Sequence, residues 1–283
     1  MQAWSTLVKP SELIASDGLS SSVVFDCRFD LTDPNRGLAS YREQHVPGAH
    51  YADLNSDLSS PPGDGGRHPL PEPDAFARWI GDHGVSDDTQ VVAYDDGVGA
   101  FAARLWWLLR WMGHEKAAVL DGGLKAWAAA GGELDSGEVQ APVAASFRRR
   151  PSRFATRSLQ DVEAASAAGD ACLVDARDRA RFLGEHEPFA PVAGHIPSAR
   201  SRPFQSNCDA SGEFKTASAL QNEFAQYGPG DKIFYCGSGV TACHNILAAV
   251  HAGLLPPALF VGSWSQWVLD SARPVATGDE GPR

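Results

Sequence analysis

The chain repeats itself, and this repeat constrains the fold more than any other feature. Four short segments recur in the same order along the two halves of the sequence. The pairs are residues 23–28 with 172–177, 44–50 with 194–200, 91–97 with 232–238, and 120–127 with 260–267. Asp26 and Asp175 are 149 residues apart, and Trp127 and Trp267 are 140 residues apart. A nearly constant offset over four segments indicates two copies of one folding unit.

Each copy alternates short apolar runs, rich in β-branched and aromatic residues, with patterns of helical period. This alternation is typical of an α/β unit with a largely parallel sheet. We therefore predict two tandem α/β domains, each a mainly parallel sheet flanked by helices. The expected division is a first domain at 1–140, a linker at 141–157 and a second domain at 158–283. The basic cluster at 148–157 contains Pro and Ser, so we interpret it as a solvated linker.

Composition excludes several classes of protein. The net charge of −11 argues against a nucleic-acid partner and against binding to anionic membranes. No apolar run approaches the ~20 residues that a membrane span requires. The start of the chain has no basic region followed by an apolar core, so no signal peptide is expected. Together with an odd count of 5 cysteines and no CxxC pair, this predicts a cytoplasmic protein without disulfides. We expect no metal and no cofactor.

Cys236 is the strongest candidate for chemistry. It follows the apolar run Ile233–Tyr235 and precedes two glycines, a serine and then a helical pattern. We expect it at a strand end, on a tight loop, facing the first turn of a helix. Free backbone N–H groups and the positive end of the helix dipole stabilise a thiolate there, and the thiolate is the form that attacks. The other interpretation is a buried, inert cysteine.

The remaining cysteines look less informative. Cys27 and Cys172 lie in apolar runs and are predicted to be core residues. Cys243 lies seven positions beyond Cys236 on the expected helix. We interpret it as a bystander, with a redox partner as the alternative.

The two copies differ where the chemistry is expected. Asp95 stands at the position of Cys236, so only the second copy can use a thiol. The first copy also carries extra residues around 56–74, a Pro- and Gly-rich loop that contains His68. Long loops in compact domains are often functional. One hypothesis is that the inactive copy donates this loop to its partner's active site, and the other is a surface loop with an exposed histidine.

These segments together resemble the two-domain rhodanese sulfurtransferases, over nearly the whole chain. The resemblance rests on the tandem halves, the HVPGA and GHIPSA segments, the loop CGSGVTAC and the downstream GSWSQW. Within that family CGSGVT is similar to the mercaptopyruvate type. Members that prefer thiosulfate carry basic residues at the second and third loop positions, which here are Gly237 and Ser238. A neutral loop suits a substrate with one carboxylate and a ketone better than a dianion.

The resemblance implies a sulfurtransferase that moves sulfur from 3-mercaptopyruvate to a thiol or cyanide through a persulfide on Cys236, releasing pyruvate. It implies that Arg181 binds the substrate carboxylate and that loop amides hold the persulfide anion. It also implies that a Ser-His-Asp set assists proton transfer. The loop residues are Gly237, Gly239, Val240 and Thr241, and the proposed set is Ser238, His68 and Asp53. The partners implied are small sulfur donors and acceptors, with a thioredoxin-like protein as a candidate acceptor, and a monomer is expected.

One departure and three alternatives bear on the function. Phe189 stands where mercaptopyruvate-type members often carry a second arginine. A thiosulfate sulfurtransferase is the alternative within the family, and a non-catalytic rhodanese-like binding module is the alternative from another class. A cysteine phosphatase needs an arginine six residues after its cysteine, and Ala242 occupies that position.

Overall fold

The computed structural model describes residues 3–140, 142–169 and 171–279, which fall into two compact units. The first unit comprises the chain up to Ser60, Pro71–Arg153 and Cys208–Phe214. The second comprises Pro61–Leu70, Phe154–Asn207 and the chain from Lys215 onwards. Each unit therefore includes a short segment from the other sequence repeat. The division at 1–140, 141–157 and 158–283 remains our proposal, and residues 1–2, 141, 170 and 280–283 lie outside the described residues.

The first unit is built on a five-stranded sheet whose strands are all parallel, in the order β1-β5-β4-β2-β3. The strands are β1 (Leu7–Val8), β2 (Ser22–Asp26), β3 (His50–Tyr51), β4 (Gln90–Tyr94) and β5 (Ala117–Leu120). The helices are α1 (Pro10–Ala15), α2 (Arg36–Glu43), α3 (Pro73–Asp82), α4 (Ala102–Trp111) and α5 (Gly123–Ala129). Helix α4 is buried almost throughout, which explains why its sequence is apolar on nearly every face.

The second unit repeats this arrangement with four parallel strands in the order β7-β6-β8-β9. The strands are β6 (Cys172–Asp175), β7 (Arg200–Ser201), β8 (Lys232–Tyr235) and β9 (Ala258–Leu259). The helices are α6 (Leu159–Ala168), α7 (Arg179–Leu183), α8 (Ala217–Phe224), α9 (Thr241–His251) and α10 (Ser263–Trp267), with 3₁₀ turns at Phe204–Asn207 and Ala225–Tyr227. The predicted fold class, tandem α/β units with parallel sheets, is confirmed.

The repeated sequence segments occupy equivalent places in the two sheets. Strands β2, β3, β4 and β5 correspond to β6, β7, β8 and β9 in both order and direction. The counterpart of β1 is reduced to an isolated parallel bridge between Thr156 and Leu259. Since the carboxyl ends of parallel strands meet at one edge of a sheet, the segments after β6 and β8 converge on the same edge of the second unit. No helix in the described part of the chain combines the length and apolar character needed to cross a bilayer.

The segment before residue 154 makes several contacts with the rest of the first unit. Phe147 is buried, and the backbone N–H of Ala145 donates to Gly81 in the first unit. Arg150 and Arg148 both pair with Asp87. Their hydrogen bonds, that of Arg150 above all, lower the pKa of Asp87 to about 2. The basic cluster is therefore exposed, as its composition suggests, but its first part is anchored to the first unit through Asp87.

The two cysteines predicted to be in the core differ in the structure. Cys27 is 1% exposed, and burial raises the pKa of its thiol well above the ordinary value. Cys172 is only half-buried, because it lies at the beginning of strand β6 where the sheet meets solvent. The core prediction is confirmed for Cys27 and wrong for Cys172.

Ser198 provides a test of local strain in the second unit. Its φ is +69°, in the left-handed region that L residues other than glycine rarely adopt, and the equivalent residue of the first unit is Gly48 with φ +73°. Ser198→Gly should therefore stabilise the protein by about 1 kcal/mol. Gly48→Ser should destabilise it by a similar amount. Guanidinium unfolding of both variants checks this, and a loss of stability in Ser198→Gly would contradict it.

Candidate active site

Cys236 lies in the loop that joins strand β8 to helix α9, as predicted. Its backbone N–H donates to Ser263 Oγ over 3.1 Å, and its carbonyl accepts from the N–H of Trp264 over 3.0 Å. Gly239 turns the loop with φ +77°, and a Cβ at this position would lie 2.4 Å from the carbonyl oxygen of Val261. The loop can therefore curl under the sulfur only because this residue is glycine.

The loop stabilises the thiolate of Cys236. Burial of the side chain, which is 2% exposed, raises the pKa of the thiol. Hydrogen bonds from the Thr241 hydroxyl and from the backbone N–H groups of Ser238 and Ala242 outweigh that effect, so the pKa lies below its ordinary value. The N–H of Gly239 also donates to the sulfur over 3.2 Å. A buried thiolate with converging donors is a prepared nucleophile.

His68 belongs to Pro61–Leu70, the part of the long loop that packs in the second unit. Its Nδ1 lies 2.8 Å from Ser238 Oγ, and both residues are only 4% exposed. The alternative of an exposed histidine on a surface loop is therefore wrong. The loop is fixed next to this contact, because the N–H of Arg67 donates to Ser265 Oγ over 3.0 Å and Gln266 Nε2 donates to the carbonyl of Asp64 over 2.8 Å.

Arg181 lies on the short helix α7, where the Asp178 side chain accepts from its backbone N–H at the helix start. Its guanidinium forms a bidentate ion pair with Glu187: Nε donates to Oε2 over 3.0 Å and Nη2 donates to Oε1 over 2.8 Å. Glu187 also accepts from Arg177 Nη1 over 2.9 Å and from the N–H of Phe189 over 3.0 Å. The Glu187 side chain is only 2% exposed, so it fixes the direction of Arg181 firmly.

Two guanidinium groups converge above Gly237. A Cβ built on this residue would lie 3.1 Å from Arg181 Nη2 and 3.4 Å from Arg67 Nη2. The carbon atoms at the centres of the two guanidiniums lie 5.3 Å and 5.4 Å from the centre of the Phe189 ring. Arg67 also donates to the Phe189 carbonyl over 2.9 Å and to Ser238 Oγ over 3.4 Å. A side chain at position 237 would have to share this space with the two guanidinium groups.

Two other residues expected at the site lie as follows. Val240 begins helix α9, and its carbonyl accepts from the N–H of Cys243. Asp53 lies in the first unit, where its Oδ1 accepts from the backbone N–H groups of Asn55 and Ser56. Its part in a Ser-His-Asp set stays a prediction.

Comparison with known proteins identifies the family. The profile of the rhodanese-like domain matches residues 10–130 and again 158–270. The chain belongs to the rhodanese-like domain family. This confirms the resemblance inferred from the sequence, with two domains in one chain.

Relatives within the family cover almost the whole chain. A Pseudomonas aeruginosa protein named "Probable 3-mercaptopyruvate sulfurtransferase" is 45% identical over 280 residues, which is 96% of this chain and 98% of that protein. Thiosulfate sulfurtransferase of Gallus gallus is 34% identical over 255 residues, covering 86% and 85%. The crystal structure of SseA from Escherichia coli, described as a 3-mercaptopyruvate sulfotransferase, superposes with a TM-score of 0.78 at 32% identity, covering 93% of this chain and all of that one.

In the first rhodanese-like unit, a carboxylate occupies the centre of the loop that is equivalent to the Cys236 loop. Asp95, at the position of Cys236, is buried and accepts from the backbone N–H groups of Gly97, Gly99 and Phe101 over 2.9 Å each. The amides of Gly97 and Phe101 correspond to those of Ser238 and Ala242, which donate to the sulfur in the second unit. Burial raises the pKa of Asp95, although these hydrogen bonds favour the ionised form. Two loops of the same kind are thus built around an acidic side chain, but only the second supplies a nucleophile.

Sequence reasoning did not select two residues that the structure brings to the site, Arg67 and Glu187. Arg67 directly precedes His68, so the loop that suggested one residue contained both. Glu187 directly precedes the Pro188-Phe189 pair, the segment in which an arginine was sought. In each case the sequence places a charged residue within two positions of a residue that the resemblance had singled out.

The hydroxyl of Thr241 gives a direct test of how the thiolate is stabilised. Thr241→Val keeps the shape of the side chain and removes a donor to the sulfur, so the pKa of Cys236 should rise. The thiolate fraction at a fixed neutral pH should then fall severalfold. The rate of alkylation of Cys236 by iodoacetamide as a function of pH, followed by mass spectrometry, measures this shift. Thr156→Val, on an exposed residue, is the control, and an unchanged titration in Thr241→Val would rule out the contribution of the hydroxyl.

Proposed function

We propose that the chain is a 3-mercaptopyruvate sulfurtransferase that transfers sulfur through a persulfide on Cys236. The observation that carries the proposal is the stabilised thiolate of Cys236 beside the two guanidiniums that converge on Gly237. Cys236 supplies the nucleophile, and the two guanidinium groups supply positive charge for a small anionic donor. The Pseudomonas aeruginosa relative, whose printed name specifies this activity, supports the assignment.

In the first half-reaction the Cys236 thiolate attacks the sulfur of mercaptopyruvate. The new S–S bond forms as the C–S bond breaks, and the electrons of that bond pass into the enolate of pyruvate. The proton from the substrate thiol is transferred to the carbon, so pyruvate leaves and Cys236 remains as a persulfide anion. Loop donors that hold the thiolate, such as the N–H of Gly239, are then in place for the outer sulfur.

Ser238 and His68 are placed to transfer the proton in this step. The 2.8 Å contact between Ser238 Oγ and His68 Nδ1 gives a hydroxyl that can both donate and accept next to the nucleophile. The hydroxyl can donate to the developing enolate oxygen while the imidazole holds the relayed proton. Asp53 remains the proposed third member, on the strength of the family resemblance alone.

The carboxylate of the donor binds to Arg181 and Arg67 in this proposal. Guanidinium groups bind carboxylates through paired hydrogen bonds, and both arginines have an amino group beside the Cys236 loop. The loop itself is neutral, but two cations from other segments reach it, so the substrate preference depends on how their charge is balanced.

In the second half-reaction a thiolate or cyanide attacks the outer sulfur of the persulfide. The S–S bond breaks, the acceptor leaves with the sulfur, and the Cys236 thiolate is regenerated. Since Cys236 is 2% exposed, we propose acceptors that can reach a buried sulfur, namely small thiols, cyanide or a protruding cysteine of a thioredoxin-like protein. A monomeric, cytoplasmic protein, with its cysteines free, remains part of the proposal.

Thiosulfate is the second candidate donor, because two guanidiniums beside the nucleophile also suit a dianion. The thiosulfate sulfurtransferase of Gallus gallus supports this alternative. A non-catalytic binding module is disfavoured. The pKa of the Cys236 thiol is lowered even though burial raises it, and perturbed pKa values cluster at functional sites.

Parallel steady-state assays with the two donors test the proposed function. We expect kcat/KM to be higher for mercaptopyruvate than for thiosulfate, and Cys236→Ser to abolish turnover of both. Mass spectrometry after donor without acceptor should find one added sulfur on the peptide that contains Cys236. Cys243→Ser should retain most activity. A persulfide on another cysteine, or a higher kcat/KM for thiosulfate, would overturn the respective part of the proposal.

The arginine contacts predict a specific kinetic signature. Removing a charge-assisted hydrogen bond costs about 1.5–3 kcal/mol, or about ten- to a hundredfold. Arg181→Met and Arg67→Met should each raise KM for mercaptopyruvate by such a factor with a smaller change in kcat, because the carboxylate is bound alike in ground and transition states. Arg179→Met, on the same helix as Arg181, should change neither. A loss confined to kcat would assign the arginines to the chemical step instead.

A further inference from the structure

Glu187 is a buried carboxylate that the proposed mechanism does not use. It accepts from four donors: Arg177 Nη1, Arg181 Nε, Arg181 Nη2 and the N–H of Phe189. Its side chain is 2% exposed, so its charge is weakly screened by solvent. Glu187 accepts from Arg181 Nη2, the same atom that lies beside the Cys236 loop. It therefore acts on the site through the arginine it holds.

Three arginines and two carboxylates surround the nucleophilic loop. Arg177 is paired with Asp175, its Nη2 lying 2.5 Å from Oδ2, and Arg181 is paired with Glu187. Arg67 donates to a backbone carbonyl and a hydroxyl, and no carboxylate pairs with it among the described residues. The arginines thus leave one net positive charge beside the Cys236 loop. The Cys236 thiolate offsets that charge, so the site has no excess of positive charge before a donor binds.

We infer that Glu187 is a positioning residue that sets donor specificity, because its negative charge offsets that of Arg181 and so disfavours a dianionic donor more than a monoanionic one. The inference rests on the proposed function and specifies its substrate class. A donor with one carboxylate brings a single negative charge to this balanced site. A dianion such as thiosulfate would bring a second negative charge into a buried site with no cation left to balance it, which costs binding free energy. Without the negative charge of Glu187, Arg181 would supply an additional net positive charge beside the loop.

The test is Glu187→Gln, which keeps the size of the side chain and removes its charge. Two charges a few ångströms apart interact strongly in such an environment, so kcat/KM for thiosulfate relative to mercaptopyruvate should rise by about tenfold or more. Most of the change should be in KM for thiosulfate, since the charge is remote from the sulfur that moves. A purely structural role would instead lower kcat/KM for both donors together.

Two matched variants separate charge from shape. Glu187→Asp keeps the charge and shortens the side chain, so it should retain the wild-type donor ratio even where activity falls. Glu185→Gln removes the charge of an exposed neighbour and should change nothing. If Glu187→Gln does not fold, Phe189→Lys adds the same unit of charge at a half-buried position and keeps the Glu187 carboxylate, at the loss of the ring contacts with Arg67 and Arg181. It should raise the donor ratio in the same direction.

The outcomes distinguish this inference from the proposed function. A wild-type protein that turns over neither donor would mean that the proposed function is wrong. A wild-type protein that uses mercaptopyruvate, with an unchanged donor ratio in folded Glu187→Gln and in Phe189→Lys, would overturn the role of Glu187 alone. A shift toward thiosulfate in Glu187→Gln that is absent in Glu187→Asp supports it.

Discussion

The buried ion pair between Asp175 and Arg177 organises the second unit around the ends of its strands. Arg177 donates to both oxygens of Asp175 and to the Gly194 carbonyl, and its guanidinium lies 4.7 Å from the Trp264 ring. Breaking such a pair would leave a buried charge without a partner, at a cost of about 3–5 kcal/mol. Because Arg177 also donates to Glu187, the network that stabilises the fold fixes the carboxylate that orients the substrate arginine.

The first unit contains the equivalent ion pair without its extension to a further carboxylate. Arg28 pairs with Asp26 and donates to the carbonyl of Gln44, the counterpart of Gly194. The Tyr94 hydroxyl donates to Asp26 over 2.8 Å, so the pair is integrated into the core as in the second unit. The described residues of the first unit show no further carboxylate on Arg28. The ion pair is thus a requirement of the fold, and the extension through Glu187 is what the second unit adds for function.

The fold and the nucleophile could be predicted because their signals are local or repeated. Strand β8, the glycine loop and helix α9 are consecutive in sequence, so the environment of Cys236 follows from the order of residue types. The role of Arg67 could not be predicted in this way. It contacts Ser238 across 171 residues of chain, and no spacing rule specifies which way a loop side chain points. The half-buried position of Cys172 was missed because an apolar run does not reveal where a strand begins.

Phe189 shows why a missing motif residue need not mean a missing interaction. The family resemblance leads us to expect a second arginine there, and its absence would leave Arg181 as the only cation near the loop. Arg67 donates to the carbonyl of Phe189 over 2.9 Å and its guanidinium lies 5.4 Å from the ring centre, a favourable distance for a cation–π contact. Phe189 therefore helps to hold an arginine from another segment, rather than supplying one. What the site requires is positive charge at a point in space, and a residue 122 positions earlier in the chain provides it.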